Sequence, residues 1–206
     1  MFKLLSVTNR RLCGEPLPER VRRLGAGGVD AVILREKDLP ESEYRILAEE
    51  VLSVCRETGT RCILHSFDQT ARELGAEALH LPLPRLRALS PAQRADFPIL
   101  GASCHSLEDV LEAADLGCTY VTLGHIFATD CKKGLPPRGL GLLEAVCARS
   151  PIPVYAIGGI GPDNLARVRG AGAAGACLMS GLLVCADPER ELLRLRRALS
   201  EEEEMQ

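Results

Sequence analysis

Eight short apolar runs recur along this chain, each followed by an amphipathic stretch, and that alternation restricts the accessible folds more than any other feature. The runs are KLLSVTN, DAVILREK, RCILHS, ALHLP, ILGASCH, YVTLGHIF, VYAIGGI and GACLMSGL. Most are apolar without a break, as expected of parallel strands covered by helices. Stretches such as PESEYRILAEEVLSVCRETG and SLEDVLEAADLG supply the helices, and Ser106 with Asp109 in the second resembles a capping box with a shorter acid. Gly59, Gly75, Gly117 and Gly172 stand where helices should stop. The phrases LGA, LGC and AGA before successive strands set a repeat of about 25 residues, within the span of one βα unit.

Eight such units in 206 residues fit a compact (β/α)8 TIM barrel, near the lower length limit of about 200 residues for that fold. A doubly wound open sheet is the alternative, but VTNRRLCGE lacks the glycine fingerprint expected after its first strand. Residues 1–206 therefore read as a single TIM-barrel domain. The acidic end LSEEEEMQ, from Leu199 onward, reads as a fraying, solvated helix end.

Composition narrows the function classes. A net charge of −3 opposes an extended nucleic-acid surface, which would need a basic excess. The nine cysteines are odd in number, form no CxxC pair and lie partly in apolar runs, so they read as free thiols in a reducing compartment, not as disulfides or zinc ligands. No run approaches the roughly 18 apolar residues of a membrane span, and the N-terminal segment lacks signal-peptide character. A soluble, cytoplasmic protein without nucleic-acid or membrane partners is the expectation.

In a TIM barrel, chemistry sits at the C-terminal ends of the strands. Those ends carry all four histidines, His65, His80, His105 and His125, together with Arg35, Lys37, Ser103, Thr129 and Lys132. Gly158 and Gly159 after the seventh run, and Ser180 and Gly181 after the eighth, offer backbone N–H groups and a hydroxyl to a phosphate. Arg35 and Lys37 are two residues apart and point the same way on a strand, which suggests a second anion site. The other reading of that triplet is an exposed charged exit in which Glu36 neutralises a neighbour. His125 is the best general acid/base, since an imidazole titrates near neutrality without much tuning. Cys131 is the one thiol in its loop, but nothing else signals thiol chemistry. The four histidines lack the carboxylate partners of a metal site, so no metal is assigned.

REK on the second strand, GASCHS on the fifth, GHIFATDCKKGL on the sixth, AIGGI on the seventh and MSGL on the eighth resemble, in that order, the thiamine phosphate synthase/TenI superfamily. The resemblance covers nearly the whole chain, and LGHIFATDCKKGLPPRG is closer to TenI than to a synthase. A synthase of this superfamily joins a pyrimidine pyrophosphate to a thiazole phosphate with magnesium. Its pattern has a glutamine where Ile33 stands, Asn-Asp where His65 and Ser66 stand, and an acidic cluster after the fourth strand. Without those carboxylates the hard oxygen ligands of magnesium are missing. The resemblance therefore implies a thiazole tautomerase of thiamin biosynthesis, a cofactor-free isomerase that aromatises a carboxy-thiazole phosphate by a proton shift. In that reading His125 moves the proton, Arg35 holds the carboxylate, Thr129 and Lys132 position anionic groups, and Cys131 is a family marker. Its partners are a phosphorylated thiazole and, as candidates, other thiazole-pathway enzymes; oligomeric state is left open, a homo-oligomer included. The alternatives are a magnesium-dependent thiamine phosphate synthase and a non-catalytic regulator that binds thiazole phosphate.

Overall fold

The computed structural model describes residues 1–132 and 134–203, with Cys131 and residues 201–203 described by their backbone alone. Eight parallel strands close on themselves in sequence order: β1 Lys3–Val7, β2 Ala31–Leu34, β3 Arg61–His65, β4 Ala78–Pro82, β5 Ile99–Cys104, β6 Tyr120–Gly124, β7 Val154–Ile157 and β8 Gly175–Leu178. The closing ladder runs between β1 and β8, from Lys3 opposite Gly175 to Ser6 opposite Leu178. This closed ring is the (β/α)8 barrel, and the open-sheet alternative is excluded. Each ladder follows one of the apolar runs, and most stop short of the polar residues at the run's end, which are thereby left at the barrel mouth.

Around the ring lie α1 Leu17–Ala26, α2 Glu41–Thr58, α3 Asp68–Glu73, α4 Leu83–Ala88, α5 Pro91–Ala95, α6 Leu107–Asp115, α7 Gly139–Cys147, α8 Leu165–Gly170, α9 Ser180–Leu183 and α10 Pro188–Glu203. Gly59, Gly75, Gly117 and Gly172 all follow helix ends with positive φ, as expected of the left-handed turn that ends a helix. Ser106 caps α6 by accepting from the Asp109 N–H, but the Asp109 carboxylate reaches back to the N–H of His105, one residue earlier than a capping box requires. α10 packs on α1 and α8 and remains helical to Glu203; residues 204–206, like Lys133, lie outside the described part. None of the described helices is long and apolar enough to cross a membrane. The described thiols, Cys13, Cys55, Cys62, Cys104, Cys118, Cys147, Cys177 and Cys185, are free.

Strand alternation divides the core in two. Leu4, Val32, Leu34, Leu64, Leu79, Leu100, Val121 and Ala156 face outward against the helices. Leu5, Val7, Ile33, Ile63, Tyr120 and Cys177 face inward, with Tyr155 and Ile157 packed against them. From α2, the buried Tyr44 hydroxyl donates to the Leu34 carbonyl at 2.8 Å and accepts from the His65 N–H at 2.9 Å, which ties the exits of β2 and β3 together. Inside the ring, Tyr120 and Tyr155 meet edge to face with centroids 5.6 Å apart. Gly101 and Gly175 make room for those rings: a Cβ at Gly101 would collide with the Tyr120 ring, and one at Gly175 with the Tyr155 ring and the Lys3 carbonyl.

Gly101→Ala should therefore cost about 1–3 kcal/mol, the range for overpacking a filled core. Gly141→Ala, on a helix with nothing near the added Cβ, should gain roughly 0.5–1 kcal/mol. Urea denaturation of both variants checks the contrast.

Candidate active site

The inward alternation continues past the strand ends and builds the mouth. A cavity of about 820 Å³ opens there, and all ten residues assigned to the site from the sequence line it: Arg35, Lys37, Ser103, His125, Thr129, Lys132, Gly158, Gly159, Ser180 and Gly181, together with His65, His80 and His105. Asn9, at the end of the first apolar run and so among the expected strand-end residues, lines it too; Arg87, Asp109 and Thr122 also line it and were not foreseen. Thr122 was legible, since it lies two residues before Gly124 on the inward face of β6. Asp109 and Arg87 come from helices, where strand parity gives no signal.

Beyond β2 the chain leaves the ladder, yet Arg35 and Lys37 still point into the mouth. The cause is Glu36, which is 2% exposed and faces the other way. Its carboxylate accepts from the Thr8 hydroxyl at 2.7 Å, from the Arg10 N–H at 3.0 Å and from Arg10 Nη1 at 3.1 Å. Thr8 Oγ1 in turn accepts from the Arg35 N–H at 2.8 Å. Arg10 also grips Asp38 with both terminal nitrogens, at 2.7 and 2.9 Å. Glu36 and Asp38 are thus pinned to the β1 exit while the alternating Arg35 and Lys37 face the cavity. The exposed charged exit, with Glu36 neutralising a neighbour in solvent, is corrected: Glu36 is buried, and a buried carboxylate must be paired. Burial first, then Arg35 and Lys132, lower the pKa of the Lys37 ammonium, so these three cations crowd one region of the mouth.

Below the cations lies a floor of neutral imidazoles. His65 and His80 stack with centroids 5.5 Å apart. Burial chiefly, then neighbouring charge including Lys37 and Arg35, holds His65 down to about 2 and His80 to about 3. His65 Nδ1 pairs with Ser66 Oγ at 2.7 Å.

His125 follows β6 on a loop stitched to the β7 exit. Ile126 and Phe127 donate backbone N–H groups to Ile157 and Gly158 at 2.9 and 3.0 Å. The far end of the loop returns to its start, where Arg138 and Gly139 donate to the His125 and Ile126 carbonyls at 2.9 and 3.0 Å. The Gly124 carbonyl accepts from His105 Nδ1 at 2.7 Å and from Arg138 Nε at 3.0 Å. His125 Nε2 donates a long 3.3 Å bond to the Leu135 carbonyl, so Nδ1 is the ring nitrogen that this bond leaves unused. At Gly158, φ is +102° and a Cβ would strike the His125 side chain; at Gly159, φ is +66° and a Cβ would strike the Ala128 carbonyl. The two glycines therefore serve the close packing of the loops after β6 and β7. The Cys131 thiol and Lys133 fall outside the described residues.

A magnesium ion does not fit the residues present. Among the described residues no three His, Cys, Asp or Glu side chains gather as a metal site. The β3 exit offers His65 and Ser66, and the nearby Asp68 is held by Arg72 at 2.7 Å and Arg85 at 3.0 Å. Glu36 is fully engaged by Thr8 and Arg10, and Asp109, the one carboxylate among the described residues lining the cavity, accepts from the His105 N–H at 2.7 Å.

A closed parallel barrel with a cation-lined, loop-walled mouth at its C-terminal face is the architecture of a TIM-barrel enzyme. Within that class, a family model described as thiamine monophosphate synthase matches residues 4–182. The chain belongs to this family, whose members serve thiamin biosynthesis. It is 34% identical over 203 residues to a thiamine-phosphate synthase of Syntrophomonas wolfei, covering 95% of each chain. It is 35% identical over 200 residues to one of Moorella thermoacetica, covering 94% of this chain and 93% of the relative. Among solved structures, a thiamine phosphate pyrophosphorylase from Pyrococcus furiosus superposes with a TM-score of 0.83 at 29% identity, covering 97% of this chain and 96% of the other.

These relatives overturn the thiazole tautomerase expectation and favour the synthase alternative. The expectation leaned on the carboxylates missing from β3 and β4. Physically, their loss removes metal ligands without removing a site for a departing anion, because fixed ammonium and guanidinium groups can meet the same charge. The isomerase class falls with it, as does the proton shift assigned to His125; an enzyme of this family remains.

Removing the Glu36 carboxylate leaves Thr8 and Arg10 without their shared buried acceptor. Glu36→Ala should lower stability by about 2–3 kcal/mol, read as a fall in the urea midpoint. Asp38→Ala, at a half-exposed pair, should cost under about 1 kcal/mol.

Proposed function

We propose that this chain is a transferase that joins a pyrimidine pyrophosphate to a thiazole phosphate, the coupling for which its relatives are named. The observation that carries this reading is the near-full-length similarity to synthases, together with Arg35, Lys37 and Lys132 around one cavity. In the coupling, the carbon–oxygen bond to pyrophosphate breaks and its electron pair leaves with pyrophosphate. Negative charge grows on that leaving group as the new bond to the thiazole forms. Fixed cations stabilise such a transition state more than the ground state, provided they are already oriented when the charge appears. Arg35 and Lys37 take that role, oriented by the buried Glu36, with Lys132 completing the positive rim. Arg35 can hold two phosphoryl oxygens at once, whereas each lysine acts as a point charge.

The thiazole phosphate then falls to the loops after β7 and β8, where Gly158 and Gly159 line the cavity, Gly181 leaves open space beside its backbone and Ser180 adds a hydroxyl. Ser103 and Thr129 supply further hydroxyls to the substrates. His125 lies between these regions and offers its Nδ1 face to the bound thiazole as a positioning contact, with no proton to move. No step passes through magnesium, since the donor set does not fit it.

Pyrophosphate release from the two coupling substrates tests the reading directly. Wild type should release pyrophosphate, and Lys37→Ala should lower kcat/KM by about 10²-fold; no release by the wild type would reject the assignment. Binding of inorganic pyrophosphate should also depend on pH with a definite sign. A bound anion favours the charged ammonium and so raises the lowered pKa of Lys37. Above the free-state value, binding must take up a proton, so affinity should fall as pH rises. The fall should begin at lower pH than an ordinary lysine would give, as calorimetry across pH would show.

A further inference from the structure

Between the mouth and the tyrosine layer, His80 carries a hydrogen bond on each ring nitrogen. Nδ1 lies 2.9 Å from the Tyr120 hydroxyl and Nε2 lies 2.9 Å from Ser103 Oγ, with Thr122 Oγ1 at 3.4 Å from Nε2. His80 is 1% exposed and its pKa is held down to about 3, so the imidazole is neutral, with one nitrogen donating and the other accepting. The neighbours decide which. Tyr120 is buried, its pKa is pushed well above the usual value, and His80 Nδ1 is its one hydrogen-bond partner among the described residues. If Nδ1 carried the hydrogen, the phenolic hydrogen would have no acceptor, which a buried hydroxyl strongly disfavours. Ser103 and Thr122 are differently placed: both line the cavity, where their hydroxyl hydrogens can turn to a ligand or to solvent. Tyr120 therefore donates to Nδ1, and Nε2–H donates to Ser103 Oγ. With its oxygen already accepting, Ser103 has its hydrogen left for the mouth, and each bond in the chain polarises the next.

We propose that Tyr120 and His80 are positioning residues that keep the Ser103 hydrogen free of the imidazole, leaving the hydroxyl to donate into the mouth to a ligand with an accepting oxygen there. This rests on the reading that Ser103 touches a phosphorylated substrate. It adds a preference: a ligand oxygen can take the serine hydrogen, whereas a ligand N–H or O–H has only the one lone pair that His80 leaves on Ser103 Oγ.

The decisive measurement is the nitrogen-15 spectrum of the histidine rings in the full chain, with His80 assigned by its loss in His80→Gln. The expected result is the Nε2–H tautomer, unchanged between about pH 5 and 8; the Nδ1–H tautomer would overturn the proposal without any further variant. Dissociation constants for inorganic pyrophosphate and for a phosphorylated thiazole supply the second arm. Ser103→Ala should weaken at least one of them about tenfold. Tyr120→Phe, which keeps the ring and removes the donor, should mix the His80 tautomers and weaken the same probe several-fold. The double variant should bind no worse than Ser103→Ala alone, since the tyrosine acts only through the serine. Additive losses, an unmixed tautomer in Tyr120→Phe, or unchanged binding by Ser103→Ala would each overturn it. If wild type releases no pyrophosphate from the coupling substrates while these results hold, the transferase reading fails and the relay stands.

Discussion

Closing eight parallel strands into a ring forces every second residue of each strand into the interior, and that steric constraint organises the rest of the molecule. At mid-height the inward residues are apolar and fill the barrel, with Tyr120 and Tyr155 occupying space that Gly101 and Gly175 leave open. One or two residues higher, the same parity delivers His65, His80, Ser103 and Thr122. Higher still it delivers Arg35, Lys37 and the loops of β6 and β7. Packing and chemistry are thus successive layers of one pattern, and the change from one to the other needs no additional element.

The upper layers combine two electrostatic environments that oppose each other. The rim is positive, and Lys37 loses some of its basicity first to burial and then to Arg35 and Lys132. The floor is buried, and that burial, helped by the same cations, keeps His65 and His80 uncharged. A second positive charge below the rim would raise the cost of holding the first in place, so neutral imidazoles are the compatible choice for that layer. Their hydrogen bonds then carry direction instead of charge, which is how a fully buried ring influences a ligand it need not touch.

Much of this was visible in the sequence because unbroken apolar runs and their polar ends report directly on a barrel. The eight strands, the helix-ending glycines and all ten assigned mouth residues follow from that pattern. Glu36 was hidden because an acidic residue between two basic ones reads as surface charge; only the approach of β1 shows that Thr8 and Arg10 bury it. Asp109 was read as a capping acid, while its carboxylate holds the His105 N–H and the residue reaches the cavity. The polarity of His80 depends on Tyr120, forty residues away and two strands along, and no local spacing encodes it. Reaction class was the poorest guide of all. Missing carboxylates describe what a site lacks, and the chemistry depends on which remaining groups can carry the charge.

The loop after β6 has a property of a different kind. Its two ends are fastened to each other, Arg138 and Gly139 to the carbonyls of His125 and Ile126, and its entry is fastened to β7. The neck is therefore closed by the backbone whatever the tip contains. Lengthening a loop that is already closed adds little entropy cost, about 0.6 kcal/mol for each doubling. The tip is in effect a cartridge: its contents can be exchanged over evolutionary time, or by grafting from a relative, while the barrel and the placement of His125 stay as they are. Divergence of chemistry within this fold can begin there without first paying a toll in stability.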